Sequence, residues 1–479
     1  MNKVLAFDMG ATSIRGIVGY IEGGKLITEE VMRMSHSIKE KDGRLYWDFK
    51  AILEKIVSTI VENKDVSCIG IDTWGVDFGV IDAKGELIDT PFSYRDEKYS
   101  IGREEAKEKI SELEIFKNSG NQIMTINTIF QLLTLKKLNP DIYENAHGAR
   151  TRGPRPKMLM MPDLIFYMLT GKKIGEETIW STTGLYDMGQ RKVSDTIFEK
   201  LELKKSLVPE IVKATEISGN TKDSKIEELR ALSIDVIPVC THDTASALLM
   251  TDSFLDEDSM FLSCGTWSLI GSVVDKCIIN EEAYENSLTN ELGFDSKPMF
   301  FKNITGLYLL EKYKAQLESK LGRKIPFDEI SDYVNKLNKK LSLIDMDAEV
   351  FAKESIDVRS EIDNFIKNQG GDTPEDDFDY FAVIYESMVA KYMEVKADIE
   401  KILNKSFKKI HIIGGGAKSS VLTSMIADKM GVEVKAGPYE SSALGNILLS
   451  LLHLKEVSDL KTGIELILGS CEIKRIDSK

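Results

Sequence analysis

Proline and cysteine are scarce in this chain, basic charge is in deficit, and long apolar runs are missing. Eleven prolines in 479 residues are too few for a disordered or linker-rich polypeptide. The five cysteines, Cys68, Cys240, Cys264, Cys277 and Cys471, are odd in number, widely scattered and contain no Cys-x-x-Cys pair. That pattern speaks against a disulfide framework and a zinc knuckle, and suits buried thiols in a reducing compartment. The apolar run Val4 to Phe7 is interrupted by Asp8, too early for the core of a secretory leader. The most apolar later stretch, Met158 to Leu169, contains Pro162 and Asp163 and falls short of the ~20 residues that span a bilayer. A cytoplasmic location is expected. Lys and Arg number 62 against 77 Asp and Glu, a net charge of −15. Such a surface gains no counterion release from nucleic acid or an anionic membrane, so neither is expected as a partner. A small anion can still be held by local amides and a cation.

What is present is an ordinary globular composition, 42% hydrophobic and 29% charged, over a length that suits two or three folding units. Val4 to Phe7, a turn-rich Met9 to Ser13, Ile14 to Tyr20, the turn Glu22-Gly23-Gly24 and Leu26 to Met34 predict an antiparallel meander. Asp48 predicts an N-cap for a helix whose apolar face is Ile52, Leu53, Ile56, Val57, Ile60 and Val61. Cys68 to Ile71 reads as a buried strand ending in a polar cluster, and Ile81 to Gly85 as a hairpin turn. Strands and helices thus interleave, which predicts a mixed sheet covered by helices. A second unit is expected to begin at the short strand Val236 to Cys240, giving domains 1–235 and 236–479. In it, Met260 to Ser263 and Trp267 to Val274 form a hairpin around Cys264-Gly265-Thr266. A long helix near 376–403, a strand at 409–413, Gly414-Gly415-Gly416 and two further helices follow. Gly10 to Gly16 lines up with Gly265 to Gly271, which suggests two related halves.

Several of these turns carry chemistry. Phosphoryl transfer needs donors around phosphate oxygens and a cation to offset charge, with little covalent work from the protein. Glycine turns expose N–H groups that form such a cradle, and Thr12, Ser13 and Thr266 add hydroxyls. Asp8, just before the first turn, could hold Mg2+ through its waters. The same turns also serve as plain hairpins. Asp243, between His242 and Thr244 at a strand end, suits a base that orients a hydroxyl and accepts its proton, or an N-cap of the following helix. Trp74, Gly75, Asp77, Tyr94, Arg95 and Asp96 could line a carbohydrate site, the aromatic faces against C–H groups and the charged ends on hydroxyls, or be loop residues. The triple glycine lets backbone approach a flat ligand, but lacks the Gly-Lys-Ser/Thr ending of a P-loop and the spacing of a dinucleotide fingerprint.

In this order, Phe7-Asp8-Met9-Gly10-Ala11-Thr12-Ser13, Gly70 to Phe78, Tyr94-Arg95-Asp96, Thr241 to Ala247, Ser263 to Ser268 and Asn303 to Leu307 resemble the FGGY family of carbohydrate kinases. The resemblance runs from residue 4 to about 450. It implies an α/β fold of two actin-like (ribonuclease H-like) ATPase domains around a central cleft. The first domain would bind sugar and the second nucleotide. It implies ATP-dependent phosphorylation of a small ketose with Mg2+, L-rhamnulose foremost and L-fuculose, D-xylulose or L-ribulose as alternatives, in a monomer or homodimer. A non-catalytic ATP-binding regulator on the same scaffold is the reading from another class. By the same resemblance Asp243 is the catalytic base, with His242, Thr244, Gly75, Asp77 and Arg95 on the sugar. Ala11, Thr12, Ser13, Ile14 and Arg15 would hold ATP phosphates, met by Thr266, and Asn303, Glu311 and Gly415 would line the nucleotide pocket. Three features depart from the pattern: Glu311 stands where Gln is usual among the L-rhamnulose enzymes, Ala417-Lys418-Ser419-Ser420 looks more like the D-xylulose enzymes, and the basic stretch 147–157 looks like an inserted exposed loop.

Overall fold

The computed structural model describes residues 2–10, 12–35, 37–145, 156–352 and 356–478. The chain opens as the expected meander. β1 (Val4–Met9), buried throughout, pairs antiparallel with β2 (Ser13–Glu22), which pairs antiparallel with β3 (Lys25–Ser35). α1 (Phe49–Glu62) starts at Asp48, whose carboxylate accepts from the Ala51 N–H. Ile52, Ile56 and Ile60, four residues apart, are fully buried, whereas Val61 turns outward and stays 42% exposed. β4 (Cys68–Thr73) then runs parallel to β1 as a continuous buried strand. The apolar stretch around Met158 splits into a strand at Lys157–Met160 and a buried helix at Met161–Thr170. The short helix α2 (Glu177–Trp180), β5 (Gly219–Asn220), β6 (Asp235–Ile237) and α3 (Asp243–Leu248) follow.

The hairpin predicted at residues 260–274 forms from β7 (Ser259–Cys264) and β8 (Trp267–Val273). After it come β9 (Thr289–Leu292), β10 (Pro298–Thr305), α4 (Leu307–Leu321), α5 (Asp379–Leu403) and β11 (Lys409–Ile413). The chain finishes with α6 (Ser420–Met430), β12 (Glu433–Ala436), α7 (Ser441–His453) and β13 (Lys474–Ile476). Among the described residues, no helix is long and apolar enough to cross a membrane.

The chain divides into two compact units. One comprises Met1–Met250, Val274–Phe300 and Ser441–Cys471; the other comprises Thr251–Val273, Phe301–Glu440 and Glu472–Lys479. The boundary expected near residue 235 is thereby corrected. β6 pairs in parallel with β4, so the apolar run that reads as the start of a second unit completes the first sheet. That sheet has the order β5-β6-β4-β1-β2-β3. Its apolar face packs Leu5, Phe7, Ile69 and Ile71 with the buried side of α1, and α7 lies against β1, β4 and α3. In the second unit β10, β8, β7, β11, β12 and β13 are neighbours in that order.

The two units repeat one plan. In each, a hairpin (β1–β2 or β7–β8) leads, its first strand pairs in parallel with a later strand (β4 or β11), and that strand pairs in parallel with another (β6 or β12). The match of Gly10–Gly16 to Gly265–Gly271 marks these hairpins. Their loops differ by one residue, since Met9 faces Ile14 while Cys264 faces Ser268.

Candidate active site

Parallel register brings carboxylates together at the carboxyl ends of neighbouring strands in the first unit, where open α/β sheets bind ligands. Asp8 on β1 lies directly beside Asp72 on β4, and across the hairpin it faces Arg15, whose guanidinium bonds to Asp8 Oδ2. At the end of β4 the Thr73 N–H donates to the Thr241 carbonyl at 2.8 Å and Thr73 bridges to His242, which delivers Asp243 to the same edge. Burial pushes the Asp72 carboxyl well above the carboxylate range, repulsion from Asp8 adds to it, and the Asn446 amide of α7, 2.7 Å from Oδ2, opposes it. Asp243 is pushed up to about 7 by desolvation and then by Asp8, with the Thr244 hydroxyl donating to its Oδ1 at 3.1 Å. Its side chain nevertheless keeps 25% of its surface exposed, so a ligand can reach it. It does not cap α3: the N-cap residue is His242, and its side chain makes no capping bond.

The 241–243 segment is held by a carboxylate with no counterpart among the predicted residues. Glu176, fully buried before α2, accepts from the Thr241 N–H at 3.1 Å and the Thr241 hydroxyl at 2.8 Å, and also from the Thr178 N–H and hydroxyl. The Thr178 hydroxyl in turn accepts from the His242 N–H at 3.2 Å. Glu176 is itself fixed through its N–H to Asp163, the buried acid that interrupts the 158–169 stretch. Burial raises the Glu176 carboxyl to about 7. His242 is buried as well, and desolvation lowers its imidazole to about 3, so it is neutral near pH 7.

The aromatic and charged set expected to face a carbohydrate is largely internal, which corrects the reading of Asp77 and Trp74. Asp77 is 1% exposed and accepts from Trp47 Nε1 (2.6 Å), Trp74 Nε1 (3.0 Å), the Tyr94 N–H (3.1 Å) and Gln131 Nε2 (2.9 Å). Four protein donors occupy both oxygens, leaving the carboxylate to tie the loop together. Burial raises it to about 6 against these bonds. The Trp74 ring stacks on Trp47, centroids 4.4 Å apart, with Tyr94 at 6.1 Å from Trp47, and all three are buried. Asp96 is buried on Arg44. Gly75 and Arg95 stay partly exposed, the latter with its guanidinium 5.8 Å from the Tyr94 ring. Val76 adopts φ 68°, a strained conformation for a β-branched residue, where the Asp77 N–H closes on the Gly75 carbonyl at 2.9 Å.

Of the predicted phosphate turn, Ala11 lies outside the described residues. Thr12 is exposed, Ser13 half-buried, and Gly10 N–H donates to the Ser13 carbonyl at 3.0 Å. The Ile14 side chain is 1% exposed in the core, so only its backbone can meet a ligand. The basic residues Arg150, Arg152 and Arg155 also lie outside the described residues.

In the second unit three turns converge. The Leu307 N–H at the start of α4 donates to the Gly265 carbonyl at 2.9 Å, and the Gly306 N–H donates to the Thr266 carbonyl at 3.1 Å. Gly306 must be glycine, since a Cβ there would stand 2.6 Å from the Trp267 carbonyl carbon. The Gly414 turn, at φ 78°, lies against Cys264, and a Cβ on Gly416 would meet Cys264 Sγ at 2.4 Å. Gly415 is exposed, while Thr266 and Asn303 are half-buried. Glu311, on the first turns of α4, faces solvent; desolvation still raises its carboxyl, and its charge helps raise the buried Cys264 thiol to about 11. Among the described residues, no group of three or more His, Cys, Asp or Glu side chains forms a metal cage. Asp8 suits a hydrated Mg2+ instead, an ion that keeps most of its water and takes one or two carboxylates plus phosphates.

Glu176, Glu291 and Asn446 escaped motif reading, and Asp72 entered it only as a member of the Gly70 to Phe78 stretch, with no role given. Asn446 stands alone in the apolar run Ala443 to Leu449, where a lone amide was a usable signal, whereas Glu176 and Glu291 have polar neighbours and carried none.

The first unit thus offers a strand-end carboxyl raised by burial to about 7, and each unit opens its sheet with a glycine-bearing hairpin turn. The models described as "FGGY family of carbohydrate kinases, N-terminal domain" and "C-terminal domain" match residues 3–250 and 260–454. The chain belongs to that family, whose architecture is the two-domain actin-like ATPase fold, and it is a sugar phosphotransferase. It is similar to the rhamnulokinase of Halalkalibacterium halodurans, 32% identical over 479 residues, covering 99% of this chain and 98% of the relative. The rhamnulokinase of Bacteroides thetaiotaomicron is 32% identical over 98% of this chain and 94% of its own. In fold it is similar to the glycerol kinase of Plasmodium falciparum solved with ADP, with a TM-score of 0.79 at 18% identity over 100% and 94% of the two chains. A ligand-bound xylulose kinase of Lactobacillus acidophilus has a TM-score of 0.77 at 17% identity, with the same coverage.

Proposed function

We propose that the chain transfers the γ-phosphoryl group of ATP to the primary hydroxyl of L-rhamnulose, giving L-rhamnulose 1-phosphate and ADP, as a cytoplasmic enzyme. The observation that carries the mechanism is Asp243: a reachable carboxyl pushed up to about 7 at the carboxyl ends of β1, β4 and the 241–243 segment. The substrate rests on the rhamnulokinase relatives, which align over nearly the whole chain.

In this reading Asp243 orients the sugar hydroxyl and takes its proton as the new O–P bond forms and the bond to the ADP oxygen breaks. A carboxyl near neutrality is charged often enough to start the reaction and basic enough to keep the proton. Thr244, Gly75 and Arg95 bind the sugar's remaining oxygens; His242, expected among them, faces carboxyls with both ring nitrogens and, being neutral, brings no second charge beside Asp243. The turn at residues 10–15 and, in its own unit, the Thr266 turn each offer donors for phosphate oxygens, Arg15 also steadying Asp8. Asn303, Glu311 and Gly415 line the place of the nucleoside, where the exposed Gly415 presents backbone with no side chain toward a flat base. Mg2+, held through water by Asp8, would supply charge neutralisation on the phosphates.

The test is ADP release with Mg2+ and ATP against L-rhamnulose, L-fuculose, D-xylulose, L-ribulose and glycerol, with Asp243→Asn as control. Selective turnover of L-rhamnulose that disappears in the variant is expected. Preference for another ketose would replace the substrate and keep the mechanism, and ATP hydrolysis indifferent to every sugar would make the chain an ATP-binding regulator.

A further inference from the structure

Two buried polar atoms face each other beside Asp243, the proposed base. Glu291 on β9 is 7% exposed, and its Oε2 lies 3.3 Å from Nδ1 of His242, itself 7% exposed. Neither atom has a hydrogen-bond partner as drawn, although both are fully sealed from solvent. On the opposite side of the ring, His242 Nε2 is 3.5 Å from Asp243 Oδ1. A carboxyl, an imidazole and a second carboxyl therefore stand in line.

The alignment is built by α2. Its N-cap Glu176 and its own Thr178 hold the 241–242 backbone, and just beyond it the Ser181 hydroxyl accepts from the Leu292 N–H at 2.9 Å, next to Glu291 on β9. One short element thus sets both Glu291 and His242. Leaving two orphaned polar atoms face to face in a dry interior is unfavourable for each, and one proton shared between them removes that penalty.

Resting on the assignment of Asp243 as base, we propose that Glu291 is a positioning residue: its protonated carboxyl donates a hydrogen bond to His242 Nδ1 and so holds the imidazole in the neutral tautomer whose Nε2–H faces Asp243. The opposite arrangement, with ionised Glu291 accepting from Nδ1–H, would turn the Nε2 lone pair onto the Asp243 carboxylate with no proton between them. It would also place two anions on either side of a neutral ring in a poorly solvated site. Burial and the neighbouring Asp243 charge, opposed by Thr289, push Glu291 up to about 8, which agrees with a protonated carboxyl near pH 7. The imidazole N–H then steadies one Asp243 oxygen and leaves the carboxylate free to accept the sugar proton.

The experiment reads the tautomer directly and the catalysis separately. With 15N-labelled histidine near pH 7, the His242 signal, identified by its loss in His242→Gln, should be that of a neutral ring protonated on Nε2 alone. Glu291→Gln, whose amide N–H can also donate to Nδ1, should keep that signature and a kcat within a few fold. Glu291→Leu should give mixed tautomers and lower kcat about 100-fold with the ATP KM unchanged. A wild-type ring protonated on Nδ1, a Gln variant as impaired as the Leu variant, or a Leu variant with the wild-type tautomer and kcat each overturns the proposal. If Glu291→Leu does not fold, the wild-type and Gln spectra still decide. If no ketose is turned over, the functional reading fails alone, because the tautomer measurement does not depend on it.

Discussion

Asp243 and Asp77 are both aspartates whose carboxyls are raised by burial, and they differ in what else they touch. Asp77 spends both oxygens on four protein donors, while Asp243 receives the Thr244 hydroxyl and keeps a quarter of its surface open. The two should part under the same substitution. Asp243→Asn should lower kcat by about 10²- to 10⁴-fold with little change in the ATP KM or in thermal stability. Asp77→Asn puts an amide donor against Trp47, Trp74 and Gln131, and should cost about 2–5 kcal/mol of stability by chemical denaturation. Because Asp243 acts as its carboxylate and its carboxyl sits near 7, kcat/KM for the sugar should rise with pH and level off above that value. A profile flat through this region would remove Asp243 from the base role. The sequence offers Asp243 as a candidate but cannot separate it from Asp77, since the difference lies in donors that arrive from residues 47, 94 and 131.

At the scale of elements, the hairpins, the capped helix α1 and the glycine turns were legible because each rests on contacts a few residues apart: Asp48 on Ala51, Gly10 on Ser13, Gly265 on Trp267. The packing of helices was not. α7 and α3 approach so closely that a Cβ on Gly445 would lie 2.0 Å from the Ser246 carbonyl oxygen, backbone that cannot swing aside. Gly445→Ala should therefore push α7 off α3 and destabilise the protein by about 1–3 kcal/mol in urea titrations. Gly469→Ala, where nothing lies within 4 Å, should leave stability nearly unchanged. Equal effects at the two glycines would contradict the close approach. Asn446, next to Gly445, reaches Asp72 from the same helix, so the displaced variant should also lose sugar turnover.

For the molecule as a whole, the buried acids give stability a definite slope in pH. Glu176, Asp243 and Glu291 are raised to about 7, about 7 and about 8. The unfolded chain releases these protons near pH 4, so between those values the native state binds more protons and stability must fall as pH rises. Asp252 behaves oppositely: against the push of burial it is held low by His411 and Lys435, and the stability it contributes is lost only in acid. Denaturant midpoints should decline from about pH 5 to pH 8, and Glu176→Gln, which cannot ionise, should flatten the decline. A slope unchanged in that variant would mean that Glu176 is not protonated in the native state. By itself, the sequence determined the class of fold, the family, the paired hairpins and the strand-end aspartate, because repeated local patterns and backbone turns are written in neighbouring residues. Tertiary structure alone decided that residues 235–250 and 441–471 complete the first unit, that Asp77 is internal, and that Glu176 and Glu291 close on the 241–243 segment. Those outcomes depend on partners such as Asn446 and Asp72, 374 residues apart. Burial and charge are set by whatever the folded chain brings near, which no local pattern encodes.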